Sequence, residues 1–237
     1  DGRTERGATR EEGGSARRPV TRVAVLGHRG MLGSRLVSVL PRRFHVITFA
    51  HRWPDGLLDA IDVARPDWII NCISGGVPEW HHLPVELSRR FRARVIQPST
   101  DAAGELTEYA QAKALADAEV LQRDGTVIRC GIVDPAGGLL AQIRKSSRFD
   151  ADTALHWNGI TALAWAGVAE RVMDGDLSGL VVPGSPPTSI YQLAADACRV
   201  FGWKTDLAPR PTQGPDRVQR PTLWMPPIAD QLAEYVG

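Results

Sequence analysis

From position 20 onward, short apolar runs alternate with longer stretches in which apolar side chains recur every three or four positions. The runs are too short for helices and rich in Val and Ile, and they predict strands over 20–26, 44–50, 68–71, 95–98, 126–129 and 179–182. The stretches between them have the spacing of helices with one buried face, over 31–40, 57–64, 85–91, 108–122, 160–173, 190–201 and 228–235. Such alternation is how βα units stack a parallel sheet between two helix layers, so the expected class is α/β with a doubly wound sheet. Residues 1–18 stand outside the pattern. They are charged, glycine-rich and almost free of apolar side chains, too few to offset the entropy of ordering, and are expected to form a flexible arm. Residues 207–227 are proline-rich and are expected to run as an extended tail before the last helix.

Composition narrows the partners. With 237 residues, 43% of them hydrophobic, the chain can bury one α/β core with an appended lobe. Its 28 basic and 27 acidic side chains nearly cancel. No net field draws it to nucleic acid or an anionic membrane, and any anion must be held by a local site. Three widely spaced cysteines, Cys72, Cys130 and Cys198, suggest neither a disulfide framework nor a metal cluster, which fits a reducing cytoplasm. No apolar run is long enough for a bilayer span, and no signal-peptide core is present, so a soluble cytoplasmic protein is expected.

The first chemical motif is Gly27-His28-Arg29-Gly30-Met31-Leu32-Gly33, directly after an apolar strand and opening a helix. Glycines there permit a tight turn, close backbone approach to a pyrophosphate and close helix–strand packing, while the helix N-terminus offers free N–H groups. The pattern points to a Rossmann-type dinucleotide site. The second strand ends Ala50-His51-Arg52 without the acid that holds the ribose hydroxyls of NAD. With Arg29 in the loop, the charges favour the 2′-phosphate of NADPH, with NADH as the alternative.

A second motif places Tyr109 and Lys113 four residues apart on one helix face, where the ammonium is expected to favour the ionised phenol and so tune it as an acid near neutral pH. Ser99-Thr100-Asp101, at the end of the preceding apolar run, brings a hydroxyl toward the same place. By contrast, the adjacent His81 and His82 fit a solvated loop better than a zinc site, and no metal is expected. His156 is expected to serve packing or to touch substrate, and the seven tryptophans to serve packing.

These segments, with Arg65-Pro66-Asp67-Trp68-Ile69-Ile70-Asn71-Cys72 and Trp157-Asn158-Gly159-Ile160-Thr161, follow the order found in extended short-chain dehydrogenase/reductases. Over roughly residues 22–201 the chain resembles the dTDP-4-dehydrorhamnose reductase family of nucleotide-sugar reductases. The resemblance implies an NAD(P)-binding core over 19–130 and a mixed region over 131–237 that completes the core and forms a substrate lobe. It implies reduction of a keto group on a nucleotide-linked sugar: Tyr109 protonating the carbonyl oxygen, Thr100 polarising it, and Lys113 holding the nicotinamide ribose. Cys72, Ile73 and Ser74 would line the cofactor groove, and Asp101 and Asn158 would contact substrate.

Departures from the family are equally plain. Only residues 102–108 separate Asp101 from Tyr109, where the family has a longer segment with substrate contacts, and a strand usual between Arg52 and Leu57 is missing. A roof must then come from the lobe with the proline-rich tail, or from a neighbouring subunit. The small residues of 108–122 suit a homodimer with a comparatively open pocket. A second reading stays open: a protein that keeps the cofactor and nucleotide-sugar fold, has lost turnover and regulates a partner.

Overall fold

The computed structural model describes residues 20–74, 80–103, 105–212 and 216–237, so the expected flexible arm lies outside the described residues. Five strands, β1 (Arg22–Leu26), β2 (His45–Thr48), β3 (Trp68–Asn71), β4 (Arg94–Ser99) and β5 (Thr126–Arg129), alternate with helices α1 (Met31–Val39), α2 (Leu57–Ala64), α3 (Leu83–Arg90) and α4 (Glu108–Gln122). After them come α5 (Gly138–Lys145), α6 (Ala162–Met173), α7 (Ile190–Phe201) and α8 (Ile228–Ala233).

The period of two in β1 decides which helices pack where. Val23 and Val25 project to one face and Ala24 and Leu26 to the other, and all four are buried. A strand apolar on both faces has to be covered on both. The Val23 face packs on Leu32 and Leu36 of α1 and on Trp165 and Ala169 of α6. The Ala24 face packs on Leu57 and Ile61 of α2, Leu83 and Leu87 of α3, and Val120 of α4.

β1 pairs in parallel with β2 on one side and β3 on the other, and the six-stranded sheet continues through β4 and β5 to Leu180–Val181. The winding direction therefore reverses at β1, and in doubly wound sheets ligands bind in the crevice beyond the strand ends at that reversal. Between Arg52 and Gly56 the described chain forms only an isolated bridge before entering α2, in place of a further strand.

A lobe covers one end of the sheet. Its core joins Leu140 and Ile143 of α5, Leu193 and Ala197 of α7 and Leu232 of α8, beside a parallel pair in which Arg148–Asp152 runs along Asp206–Arg210. Periodicity did not reveal α5 or this pair. The strand Arg148–Asp152 carries three charged residues, and its partner comes from far along the chain, so neither segment has a local signal.

Asp134, fully buried, joins lobe to sheet layer. It accepts from Arg35 of α1 at 2.6 and 3.0 Å and from the Tyr235 hydroxyl at 3.0 Å, and that hydroxyl accepts from the Leu163 N–H at 3.0 Å. Asp134→Ala strands Arg35 and the C-terminal Tyr235 together and is expected to cost about 3 kcal/mol in urea unfolding, against about 1 kcal/mol for Tyr235→Phe. Equal, small losses would show that the junction is not charge-stabilised.

Candidate active site

The glycine loop forms the floor where β1 ends. Gly27 adopts φ +71°, and a Cβ there would meet the Cys72 carbonyl at 3.0 Å, so the β1 turn and the end of β3 touch backbone to backbone. A Cβ on Gly33 would collide with the Gly27 carbonyl, which fixes how closely α1 seats. Gly30 donates to the Gly27 carbonyl at 2.9 Å and occupies the N-cap of α1, where no side chain caps the helix. The result is a Cβ-free cradle with first-turn N–H groups left to an incoming acceptor, and it fits a pyrophosphate.

Two recesses meet at Gly30 and Ile73. The smaller, about 430 Å³, is walled by His28, Arg29, His51 and Arg52 with Phe49 and Trp53. Cations beside aromatic rings suit the adenosine end of a phosphorylated dinucleotide. Asp55 also lines this recess, an acid just past the point where the end of the second strand was read.

The larger cleft, about 680 Å³, brings together Met31 and Leu32, Cys72 and Ser74, Thr100 and Asp101, and Tyr109 and Lys113. The side chain of Thr107 caps α4 by accepting from the Ala110 N–H at 3.2 Å, and the helix then carries Tyr109, Lys113 and Asp117 at successive four-residue steps. The last two are buried against the sheet. Asp117 accepts from the Ser99 hydroxyl at 2.6 Å and from Arg129 Nη2 at 2.8 Å, and Lys113 Nζ donates to the Pro98 carbonyl at 3.2 Å. Burial pulls the Lys113 ammonium below its ordinary pKa, while Asp117 and Cys72 oppose the shift.

Tyr109 is 47% exposed and opens into the cleft. Burial of part of the ring, followed by Asp101 and Asp117, raises its pKa. The expectation that Lys113 favours the ionised phenol is not met: the shift runs upward, and Lys113 Nζ, 6.0 Å from the centre of the Tyr109 ring, gives one of its three N–H bonds to the Pro98 carbonyl. A phenol held protonated can donate a proton. Thr100 donates to the Asp101 carboxylate at 3.2 Å and accepts from the Ala102 N–H at the same distance.

Several contributors escaped the sequence reading. Trp80 lies with its ring 5.7 Å from that of Tyr109 and 4.9 Å from Lys113 Nζ, and the turn containing His81 and His82 leads from it into α3. Asp117 did have a signal, the third step of the Tyr109–Lys113 spacing. Arg217 had none, coming from the proline-rich tail to line the cleft beside Trp157 and Leu155.

That tail supplies the roof that residues 102–108 are too few to make. His156 N–H donates to Asp216 at 2.8 Å, Arg217 N–H donates to the His156 carbonyl at 2.8 Å, and Gln219 Nε2 donates to the Asp101 carbonyl at 3.1 Å. Asn158 is committed to this strap, since its amide both donates to and accepts from the Gln219 backbone, at 2.8 and 2.9 Å. It is absent from the cleft lining, so the structure gives it a tail-clamping contact in place of the expected substrate contact. His156 likewise lies outside the lining and faces Asp216 at 3.4 Å.

No protein-family model and no curated protein sequence matches the chain. Its likeness is to solved structures. A dTDP-4-dehydrorhamnose reductase from Bacillus anthracis in complex with NADP superposes with a TM-score of 0.72 at 15% identity, covering 91% of this chain and 98% of that one. The Clostridium acetobutylicum dTDP-4-dehydrorhamnose reductase gives 0.70 at 16%, with the same coverage. A Bacillus anthracis dTDP-glucose 4,6-dehydratase in complex with NAD gives 0.68 at 16%, over 91% and 95%. At these identities the likeness shows the fold alone, a doubly wound Rossmann-type α/β fold, and the solved proteins that share it catalyse different reactions.

Buried Lys113 yields a prediction independent of turnover. The folded protein releases its proton more readily than the unfolded chain, so holding the ammonium costs stability at neutral pH. That cost fades as pH rises toward the ordinary value of 10.5. The Pro98 carbonyl keeps a donor in Gln97 Nε2 at 2.9 Å. Lys113→Met is therefore expected to be more stable than the parent by about 1 kcal/mol at pH 7, with the gap shrinking toward pH 10 in thermal melts. A variant less stable at every pH would refute this.

Proposed function

We propose that the chain is an NADPH-dependent reductase of a keto group on a nucleotide-linked sugar. The observation that carries this reading is the convergence on one cleft of a pyrophosphate cradle, a proton-bearing phenol, a hydroxyl and a buried ammonium, supplied by the glycine loop, the end of β4 and α4. The solved structures of like fold include a dTDP-4-dehydrorhamnose reductase in complex with NADP.

When bound, NADPH would supply a hydride to the carbonyl carbon. The chain's own residues do the rest. Gly27, Gly30 and Gly33 clear space for the pyrophosphate, and Arg29, His51 and Arg52 would hold the 2′-phosphate. Cys72, Ile73 and Ser74 would wall the groove toward the nicotinamide end, and burial pushes the Cys72 thiol up to about 12. Lys113, next to the phenol on the same helix face, would hold the nicotinamide ribose. Thr100 would turn its hydroxyl from Asp101 to the substrate oxygen. Tyr109 would give its proton to that oxygen, so that one hydride and one proton convert the carbonyl to an alcohol. The lobe residues Leu139, Trp157 and Leu193 exclude water from the other side. A cofactor-binding protein without turnover is the competing reading, and the same site tests it.

Tyr109→Phe is expected to bind NADPH as the parent does and to reduce a panel of nucleotide keto-sugars at least about a hundredfold more slowly. In the same titrations NADPH should bind about tenfold tighter than NADH, a difference that Arg29→Ala with Arg52→Ala abolishes. Equal turnover in Tyr109→Phe would remove the phenol from the mechanism, and no turnover in the parent would favour the binding protein. The protein is further proposed to be a homodimer packed through α4, whose Leu115 is 72% exposed. Light scattering of a monomer at micromolar concentration would overturn that.

A further inference from the structure

The catalytic cleft has two basic side chains in its wall, and they are held in opposite ways. Lys113 is 4% exposed and fixed on the Pro98 carbonyl. Arg217 has a fixed backbone and a loose side chain. Its N–H is bonded to His156, and the strap is pinned two residues on, where Gln219 meets both Asn158 and Asp101. The guanidinium, about half exposed, has one anionic partner among the described residues, Glu105 in the short loop before α4, at 3.4 Å and itself 40% exposed.

That contact is longer than a good charge-assisted bond of about 2.7–2.9 Å. Solvated pairs of this kind contribute little to stability. Arg217 thus brings a planar donor array to the edge of the cleft, engaged only weakly by a carboxylate that can return to water without penalty. A guanidinium so placed matches the paired oxygens of a phosphoryl group better than it matches one distant carboxylate oxygen. The other acid of the cleft wall, Asp101, accepts from the Thr100 hydroxyl through one oxygen, and among the described residues the ion pair of Arg217 is with Glu105.

We propose that Arg217 binds the diphosphate of the nucleotide-linked substrate, and that the Glu105 carboxylate holds this place until the diphosphate displaces it. The proposal rests on the nucleotide-sugar reading above and adds to it the residue that recognises the nucleotide half. The exchange of one anion for another sets selectivity: a diphosphate outcompetes Glu105 for the guanidinium, whereas a free neutral sugar has nothing with which to displace it. The strap from Asp216 to Gln219 becomes a recognition element as well as a roof.

The test is calorimetric titration of the NADPH-saturated full chain with thymidine diphosphate, uridine diphosphate and inorganic pyrophosphate, NADPH affinity being measured first for every variant. Arg217→Gln is expected to weaken diphosphate binding at least tenfold, with Arg217→Lys in between. Glu105→Gln should strengthen it several-fold, a gain that misfolding cannot mimic. The double variant should match Arg217→Gln. Diphosphate affinity unchanged by Arg217→Gln, weakened by Glu105→Gln, or absent from both parent and Glu105→Gln overturns the proposal. So does binding that vanishes on NADPH saturation, which would place the ion at the glycine loop. Failure of the reductase reading shows separately, as lost NADPH binding or absent turnover in the parent.

Discussion

The site depends on one close approach, the contact between the turn after β1 and the end of β3. Gly27 at φ +71° lets the chain turn directly over the Cys72 carbonyl, with no room for a side chain between them. From that contact follow the seating of α1 against the turn, the free N–H groups at its start and the groove that divides at Gly30 and Ile73. A larger residue at Gly27 or Gly33 would part strand from strand or helix from turn, removing the phosphate cradle and the packing of Leu32 and Leu36 in one step.

Around this cradle the protein places charge where burial is expensive. α4 faces the sheet with Lys113 and Asp117 instead of an uninterrupted apolar stripe, and the cost is offset by Ser99, Arg129 and the Pro98 carbonyl supplied by the ends of β4 and β5. One oxygen of Asp117 is buried without a partner among the described residues. An arrangement costly to stability, beneath the residues that border the cleft, is the kind of local conflict found at sites kept for chemistry. Burial of part of its own ring, with Asp101 and Asp117 nearby, raises the phenol of Tyr109, so it carries its proton at neutral pH.

The shortened loop before α4 shifts the burden of enclosure to the other end of the chain. The strap from Asp216 to Gln219 is held by backbone and amide bonds to His156, Asn158 and Asp101, and thereby ties the lobe to the end of β4. Buried Asp134 makes a second tie, from the lobe to α1 and to Tyr235 near the C-terminus. The two ties fix the lobe relative to the sheet, which is why side chains as distant in sequence as Tyr109 and Trp157 can line one cleft.

Much of this was legible in the sequence because it is written locally. The strand at 126–129 and the helices at 57–64, 108–122 and 190–201 coincide with the observed β5, α2, α4 and α7, since apolar period and capping are properties of a few neighbouring residues. The glycine loop, and Tyr109 with Lys113, were visible for the same reason: each is a spacing within one turn or one helix. What only the tertiary structure decided involves residues brought together from afar. Asp55 stands in the recess assigned to the 2′-phosphate, Trp80 lies against Tyr109, Asn158 clamps the tail, and the Tyr109 phenol is raised where spacing alone suggested the reverse. Arg217 reaches the cleft from a proline-rich segment with no periodicity of its own. Burial and charge–charge distance belong to the packed chain, and a linear pattern encodes neither when the partners lie on different elements.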